Sequence, residues 1–183
     1  AIHGDAGSTL AALAARLEAL RTQRSVDPAE LERARARNRS ELTPRQRKHA
    51  RVLDALRRAL PEDGIVASDM TQIAYLGNYA YATDVPGAWH HPSGYGTLGY
   101  ALPAALGARV AMPGRAVVAL AGDFGVQFTI ADLTTAVEFG LSLPLVVWNN
   151  AALGQIRDDL VATDIPPIGV GARNPDFVAL ARA

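Results

Sequence analysis

The run Arg115-Ala116-Val117-Val118-Ala119-Leu120-Ala121, closed by Gly122-Asp123-Phe124-Gly125, constrains this chain more than any other stretch. Short, β-branched apolar runs bounded by Gly and Pro read as strands buried on both faces, the pattern of a parallel sheet. A second such run, Leu145-Val146-Val147-Trp148, ends in Asn149-Asn150. Between the two, residues 129–139 have helical spacing (Ile130, Leu133, Val137), with Thr129 as the predicted N-cap. This is a βαβ unit, and it carries Asp123 and Asn150 just past the C-terminal ends of successive strands. Ligands of open α/β sheets bind at that edge.

A carboxylate oxygen and an amide oxygen suit a hard divalent cation such as Mg²⁺, which also keeps phosphate oxygens and waters in its shell. The chain has no Cys and no His near the pair, which disfavours a zinc-type site. Asp123-Phe124-Gly125 also offers backbone N–H groups near a helix start, where phosphate binds readily. The plainer alternative is that Asp123 caps a helix and Asn149-Asn150 forms a turn. The pair in its strand–helix–strand context favours metal and phosphate over that alternative.

The same sheet edge receives another segment. Gly64-Ile65-Val66-Ala67-Ser68 reads as the first strand, and Asp69-Met70-Thr71-Gln72 follows it. Here a plain helix cap by Asp69 or Thr71 competes evenly with a ligand-binding role. Residues 75–93 are aromatic and broken by Pro and Gly, and they read as a loop over the sheet edge. Its adjacent His90 and His91 are expected to be one packed and one facing solvent. Gly94-Tyr95-Gly96-Thr97-Leu98-Gly99 spells the G-x-G-x-x-G dinucleotide fingerprint. That fingerprint has to follow a strand, and none is expected before it, so it is set aside.

Asp123 and Asn150, followed by Ala152-Leu153-Gly154-Gln155-Ile156-Arg157, form a pattern that resembles the thiamine diphosphate motif of the acetolactate synthase and 2-oxo acid decarboxylase superfamily. The resemblance covers residues 44–183. It implies that Asp123, Asn150 and the main-chain carbonyl of Ala152 bind Mg²⁺, with Phe124, Gly125 and Leu153 also in the cofactor site. Phe124 stands where the motif usually has its third Gly, as in glyoxylate carboligase-like relatives. The block from Tyr95 to Ala108 resembles the family's aminopyrimidine-binding segment. By that likeness the main chain at Gly96 and Leu98 meets the pyrimidine ring, and the Leu98 side chain wedges between the two cofactor rings. Thr71 and Gln72 fall on the turn that contacts the diphosphate in the family. Pro166-Pro167-Ile168-Gly169-Val170 and Asn174-Pro175-Asp176-Phe177 resemble a branch with guanidino-oxo-acid decarboxylases and acetolactate synthase-like enzymes; Asn174 is the predicted N-cap of a last helix.

The fold implied is α/β: a three-layer sandwich with a mainly parallel sheet and helices on both faces. Residues 1–43 read as the tail of a central domain plus a charged helical linker, with Ser8 as an N-cap. Residues 44–183 read as the diphosphate-binding domain, cut short at its C-terminus. The linker arginines 33, 35, 37 and 39 suggest either a polyanion-binding face or a solvated helix. The solvated helix is favoured, because no aromatic residues interleave and nearby Glu residues offset the charge. Thr43-Pro44 opens a further helix with the apolar stripe Val52, Leu53, Leu56 and Leu60, and His49 is expected to be exposed.

Charge and composition exclude other classes. Lys plus Arg, 18, balances Asp plus Glu, 18, and no apolar run approaches membrane-spanning length. No nucleic acid or membrane partner is expected, and the absence of Cys fits a cytoplasmic protein. The resemblance implies an enzyme that decarboxylates a 2-oxo acid, then protonates the product or ligates it to a second carbonyl. It also implies a pyrimidine-binding domain of the same enzyme, supplying an activating Glu across a dimer interface of a homo-oligomer. The chain begins at Ala1 without Met and contains no match to that Glu. It is therefore expected to be a fragment without turnover of its own. The rival expectations are a simple guanidino-oxo-acid decarboxylase, a non-catalytic module of the same fold and a nicotinamide-binding domain.

Overall fold

Among the described residues, four short strands form one parallel sheet: β1 (Ile65–Ser68), β2 (Trp89–His90), β3 (Val117–Gly122) and β4 (Leu145–Trp148), in the order β2-β1-β3-β4. The computed structural model describes residues 3–20 and 27–182. Two compact units divide the chain, Ala1–Leu42 and Thr43–Ala183.

In the first unit, α1 (Ala6–Ala19) is capped by Asp5, whose carboxylate accepts from Ser8 N at 2.9 Å. Ser8 is therefore inside the helix and not its N-cap, because the acid three residues earlier already satisfies its amide. α2 (Pro28–Ser40) starts on Asp27 with Pro in its first turn. Arg35 pairs with Glu32 at 2.7 Å, and no α2 residue is buried. Ala1, Ile2, residues 21–26 of the charged connector and Ala183 lie outside the described residues.

The second unit is the three-layer sandwich. β1 and β3 are buried along their whole length, as parallel strands covered on both faces must be. On one face Ile65, Ala67, Val117, Ala119 and Ala121 pack with Ala101 and Ala105 of α5 (Ala101–Ala111). Small residues on both sides let that helix approach closely. Side chains alternate across the sheet, so Val66, Val118 and Leu120 face the other way, and they are equally buried. α3 (Pro44–Ala59) packs against α4 (Gln72–Ala80). α3 opens with a full capping box, Thr43 and Gln46 each satisfying the other's amide.

Four local expectations are corrected. The helix after β3 begins at once, as α6 (Asp123–Thr129), then tightens over Ile130–Asp132 and resumes as α7 (Leu133–Glu138). Thr129 caps nothing: it ends α6, and the β-branched pair Thr129-Ile130 sits where the helix breaks. Residues 75–93 are not one loop. Tyr75 and Tyr79 are a helical turn apart in α4, and Trp89–His90 pairs with β1 through Val66 and Ala67. A short strand therefore does precede the G-x-G-x-x-G run. His49 is buried, its ring centroid 5.0 Å from that of Trp148 at 87°. Position 49 lies on the same α3 face as Leu53 and Leu56, which the flanking charges obscured. Asn174 does not cap the last helix, α9 (Phe177–Arg182). Asp176 does, accepting from Val178 N and Ala179 N at 2.9 Å.

Candidate functional site

The chain leaves β1 in one direction, through α4 to β2, and returns on the other side as β3. That reversal opens a crevice at the C-terminal ends of β1 and β3, where α/β sheets bind ligands. A cavity of about 230 Å³ occupies it. Thr71 and Gln72 reach it from the end of β1, and Gly96 and Leu98 from the turn before α5. Asp123, Phe124 and Gly125 line it from the end of β3, and Asn150, Ala152 and Leu153 from the end of β4. Every residue singled out from the sequence for cofactor or metal borders this one cavity.

Helix ends set its electrostatics. α1, α2 and α3 carry side-chain caps, but α4, α5, α6, α7 and α8 (Gly154–Ala162) have none. Of these uncapped helices, three border the cavity with their first turns, at Thr71-Gln72, Asp123-Phe124-Gly125 and Gly154-Gln155-Ile156. Helix N-termini carry partial positive charge and free N–H donors. Three of them in one crevice favour an anion with many oxygens. Phe124 fits without backbone strain: it lies in α6, and among the described residues the non-glycine residues with positive φ are Ala151 and Asp164.

Sequence reasoning treated Asp69 only as a possible cap, yet it is the most enclosed acid of the site. It is fully buried, and its carboxylate accepts from Gly99 N at 2.9 Å, Met70 N at 3.1 Å and Tyr100 N at 3.3 Å. Burial pushes its pKa up, against the opposing pull of those three amides. Asp69 thus ties the end of β1 to the turn that carries Gly96 and Leu98. Gly99 has φ +83°, a conformation that side chains resist. A Cβ at Gly154 would fall 2.4 Å from Asn150 Nδ2, so glycine lets α8 start against Asn150.

The proposed ligand residues are themselves held. Asp123 is 2% exposed and accepts from Asn174 Nδ2 at 2.5 Å. Asn150 Oδ1 accepts from Ala152 N at 3.2 Å, across an Ala151 in the left-handed region. Gln72 lies 3.5 Å from Asn150 Nδ2 and donates to Asp158 at 2.8 Å, and Asp158 pairs with Arg45 of α3. Partial burial raises the Asp158 pKa, but the Arg45 and Gln72 bonds outweigh it and the net shift is downward. Asp158 did not stand out in the sequence, because a polar residue in a helix carries no periodic signal, and Asn174 stood out only as a helix cap. His91 is half-buried with Nδ1 2.9 Å from Ser68 Oγ, and His90 is exposed with Nε2 2.9 Å from Gly87 O. The expected division between packed and solvent-facing histidine is what the structure contains.

Residues 69–183, more than half of the chain, match the family model described as "Thiamine pyrophosphate enzyme, C-terminal TPP binding domain". The chain belongs to the thiamine pyrophosphate enzyme family. This also decides against the nicotinamide reading of Gly94–Gly99, whose expected lack of a preceding strand failed. Within the family, the chain is 50% identical over its whole length to a Pseudomonas aeruginosa protein named "Probable 2-ketoarginine decarboxylase AruI", of which it covers 33%. It is 35% identical to the Escherichia coli acetolactate synthase isozyme 3 large subunit, over 72% of this chain and 23% of that one. The chain thus spans a third or less of the length of these two relatives. Its fold matches the Rhodococcus jostii RHA1 thiamine diphosphate-dependent 4-hydroxybenzoylformate decarboxylase with a TM-score of 0.66 and 27% identity, over 73% of this chain and 25% of that one. Among the described residues, no helix is long and apolar enough to cross a membrane.

Proposed function

We propose that this chain binds thiamine diphosphate with Mg²⁺, as part of an enzyme that decarboxylates a 2-oxo acid. The observation that carries the proposal is the convergence of three uncapped helix N-termini on the cavity that Asp123 and Asn150 border. The donor set fits the group. Among the described residues no three His, Cys, Asp or Glu side chains cluster as a metal site. A single carboxylate, an amide and a main-chain carbonyl suit a cation that draws its remaining ligands from phosphate and water. Asp123, Asn150 and the carbonyl of Ala152 would hold the metal. Thr71, Gln72, Phe124, Gly125 and Leu153 would border the diphosphate. Gly96 would present its main chain to the pyrimidine, and Leu98 would supply an apolar support between the rings.

Bound thiamine diphosphate supplies the carbon nucleophile and electron sink that decarboxylation of a 2-oxo acid requires. The chain's own residues would fix and orient that group. The chain covers a third or less of these relatives' length, and a pyrimidine-binding domain acting across a dimer interface would supply the remaining machinery. A cytoplasmic setting fits a cofactor and substrates of this kind. Thermal unfolding with thiamine diphosphate plus Mg²⁺, against NAD alone, tests the binding. A rise in midpoint only with the first pair is expected, and a rise only with NAD overturns the proposal.

A second reading concerns the substrate. Identity to the protein named "Probable 2-ketoarginine decarboxylase AruI" is 50% over the whole chain, against 35% over 72% of it for the synthase. That favours simple decarboxylation of a guanidino 2-oxo acid over carboligation. CO₂ release from 2-ketoarginine and from pyruvate by the longer enzyme that contains this chain, with acetolactate measured alongside, separates the two.

A further inference from the structure

We infer that Asn174 is a positioning residue for the Asp123 carboxylate, set by a closed amide network to present that carboxylate to a divalent cation. The inference rests on the cofactor reading proposed above. Asp123 lies at the tip of β3, and its Oδ2 accepts from Asn174 Nδ2 at 2.5 Å. The second hydrogen of the same Nδ2 goes to Asn149 Oδ1, at 2.9 Å, at the tip of β4. One amide group therefore bridges the two strand tips whose separation sets the distance between Asp123 and Asn150.

The amide cannot turn over. Asn174 Oδ1 accepts from Gln127 Nε2 at 3.1 Å, and that Nε2 also donates to the main-chain oxygen of Asp123 at 2.8 Å. Asn149 Oδ1 is fixed as an acceptor because it also takes Ala151 N at 3.1 Å. Flipping Asn174 would set its oxygen against a carboxylate and an amide oxygen, and its nitrogen against a donor. Asp123 is thus gripped at one carboxylate oxygen and at its main-chain carbonyl. The other carboxylate oxygen is left outside this network for a cation. Partners of this kind, one bond removed from a metal, fix the ligand's orientation and strengthen binding. Asn174 comes from the loop before α9, distant in sequence from both strands, and the same loop caps α9 through Asp176.

A merely structural tie is separable by experiment. Mn²⁺ binding to the purified protein, at saturating thiamine diphosphate, is measured by electron paramagnetic resonance for the wild type, Asn174→Ala and Asp176→Ala. Asn174→Ser takes the place of the alanine variant should that variant not fold. The Asn174 variant should weaken Mn²⁺ by about 10–100-fold. Asp176→Ala, which loosens the same loop and helix, should lower the unfolding midpoint and leave Mn²⁺ affinity at the wild-type value. A change of less than about threefold in the Asn174 variant, against the range expected of such partners, overturns the inference and leaves the cofactor reading standing. Equal weakening in both variants also overturns it, by showing a general loosening of the loop. A wild-type protein that binds no Mn²⁺ with the cofactor removes the reading and the inference together.

Discussion

A Cβ placed on Gly125 would lie 2.0 Å from Oδ2 of Asp69. That oxygen already accepts from Gly99 N, so it cannot move aside without releasing a buried amide. The glycine in the first turn of α6 is therefore required for contact with the end of β1, in addition to anything it does for a phosphate. Gly125→Ala should destabilise the fold by about 1–3 kcal/mol through overpacking. Urea unfolding measures this, and an unchanged midpoint would contradict the packing described.

Asp69 holds three amides from two segments. Asp69→Ala leaves them in a buried place without an acceptor, at about 1–3 kcal/mol for each that water cannot reach. The loss should exceed that of Asp63→Ala, an exposed acid on the same unit. Equal unfolding midpoints for the two variants would show that Asp69 is not the tie it is taken to be.

The fold class was legible from a few residues, because a buried parallel strand has a composition that little else shares. The runs before Asp123 and Asn150 located β3 and β4, and Thr43-Pro44 located α3. The cavity was legible for the same reason: strand tips converge wherever strands are parallel. Helix starts were less so. α6 begins on Asp123 itself, and nothing local distinguishes that from a loop running on to Thr129. His49 was misplaced because its charged neighbours point outward while it shares a face with Leu53. Asn174 was taken for a cap because its sequence context, Asn before Pro, is that of a cap; its bond to Asp123 spans 51 positions.

The two packed histidines give stability a pH dependence. Burial holds the His49 and His91 pKa values below their ordinary 6.5, with Arg45 adding to the effect at His49 and Asp69 opposing it at His91. Below pH 6.5 the unfolded chain gains protons that the folded chain takes up less readily. Stability from these groups is therefore full above 6.5 and is lost as the pH falls through their lowered values. Asp69 acts in the opposite sense nearer its own range. Its raised pKa means that ionisation costs stability at neutral pH, a penalty relieved as the pH falls towards 3.8. Urea midpoints should decline from pH 7.5 to 5.5, and His49→Phe should make the decline shallower while keeping the ring packed on Trp148. A flat profile for the wild type would contradict both burials.

Leu98 is an apolar side chain at the cavity wall. Its contribution is steric, so in the longer enzyme of which this chain is proposed to be part, Leu98→Ala should leave thiamine diphosphate affinity nearly intact and lower turnover by roughly 10–100-fold through lost positioning. Paired binding and CO₂-release measurements check this, and loss of affinity with turnover preserved would reverse the assignment.

The central claim is that strand tips bearing Asp123 and Asn150 grip a pyrophosphate through one divalent cation. Calorimetric titration of thiamine diphosphate, with Mg²⁺ and with a chelator, into the wild type and Asp123→Ala tests it most directly. Binding is expected only for the wild type with Mg²⁺ present. Equal affinity in the Asp123 variant, or binding indifferent to the metal, would contradict the account.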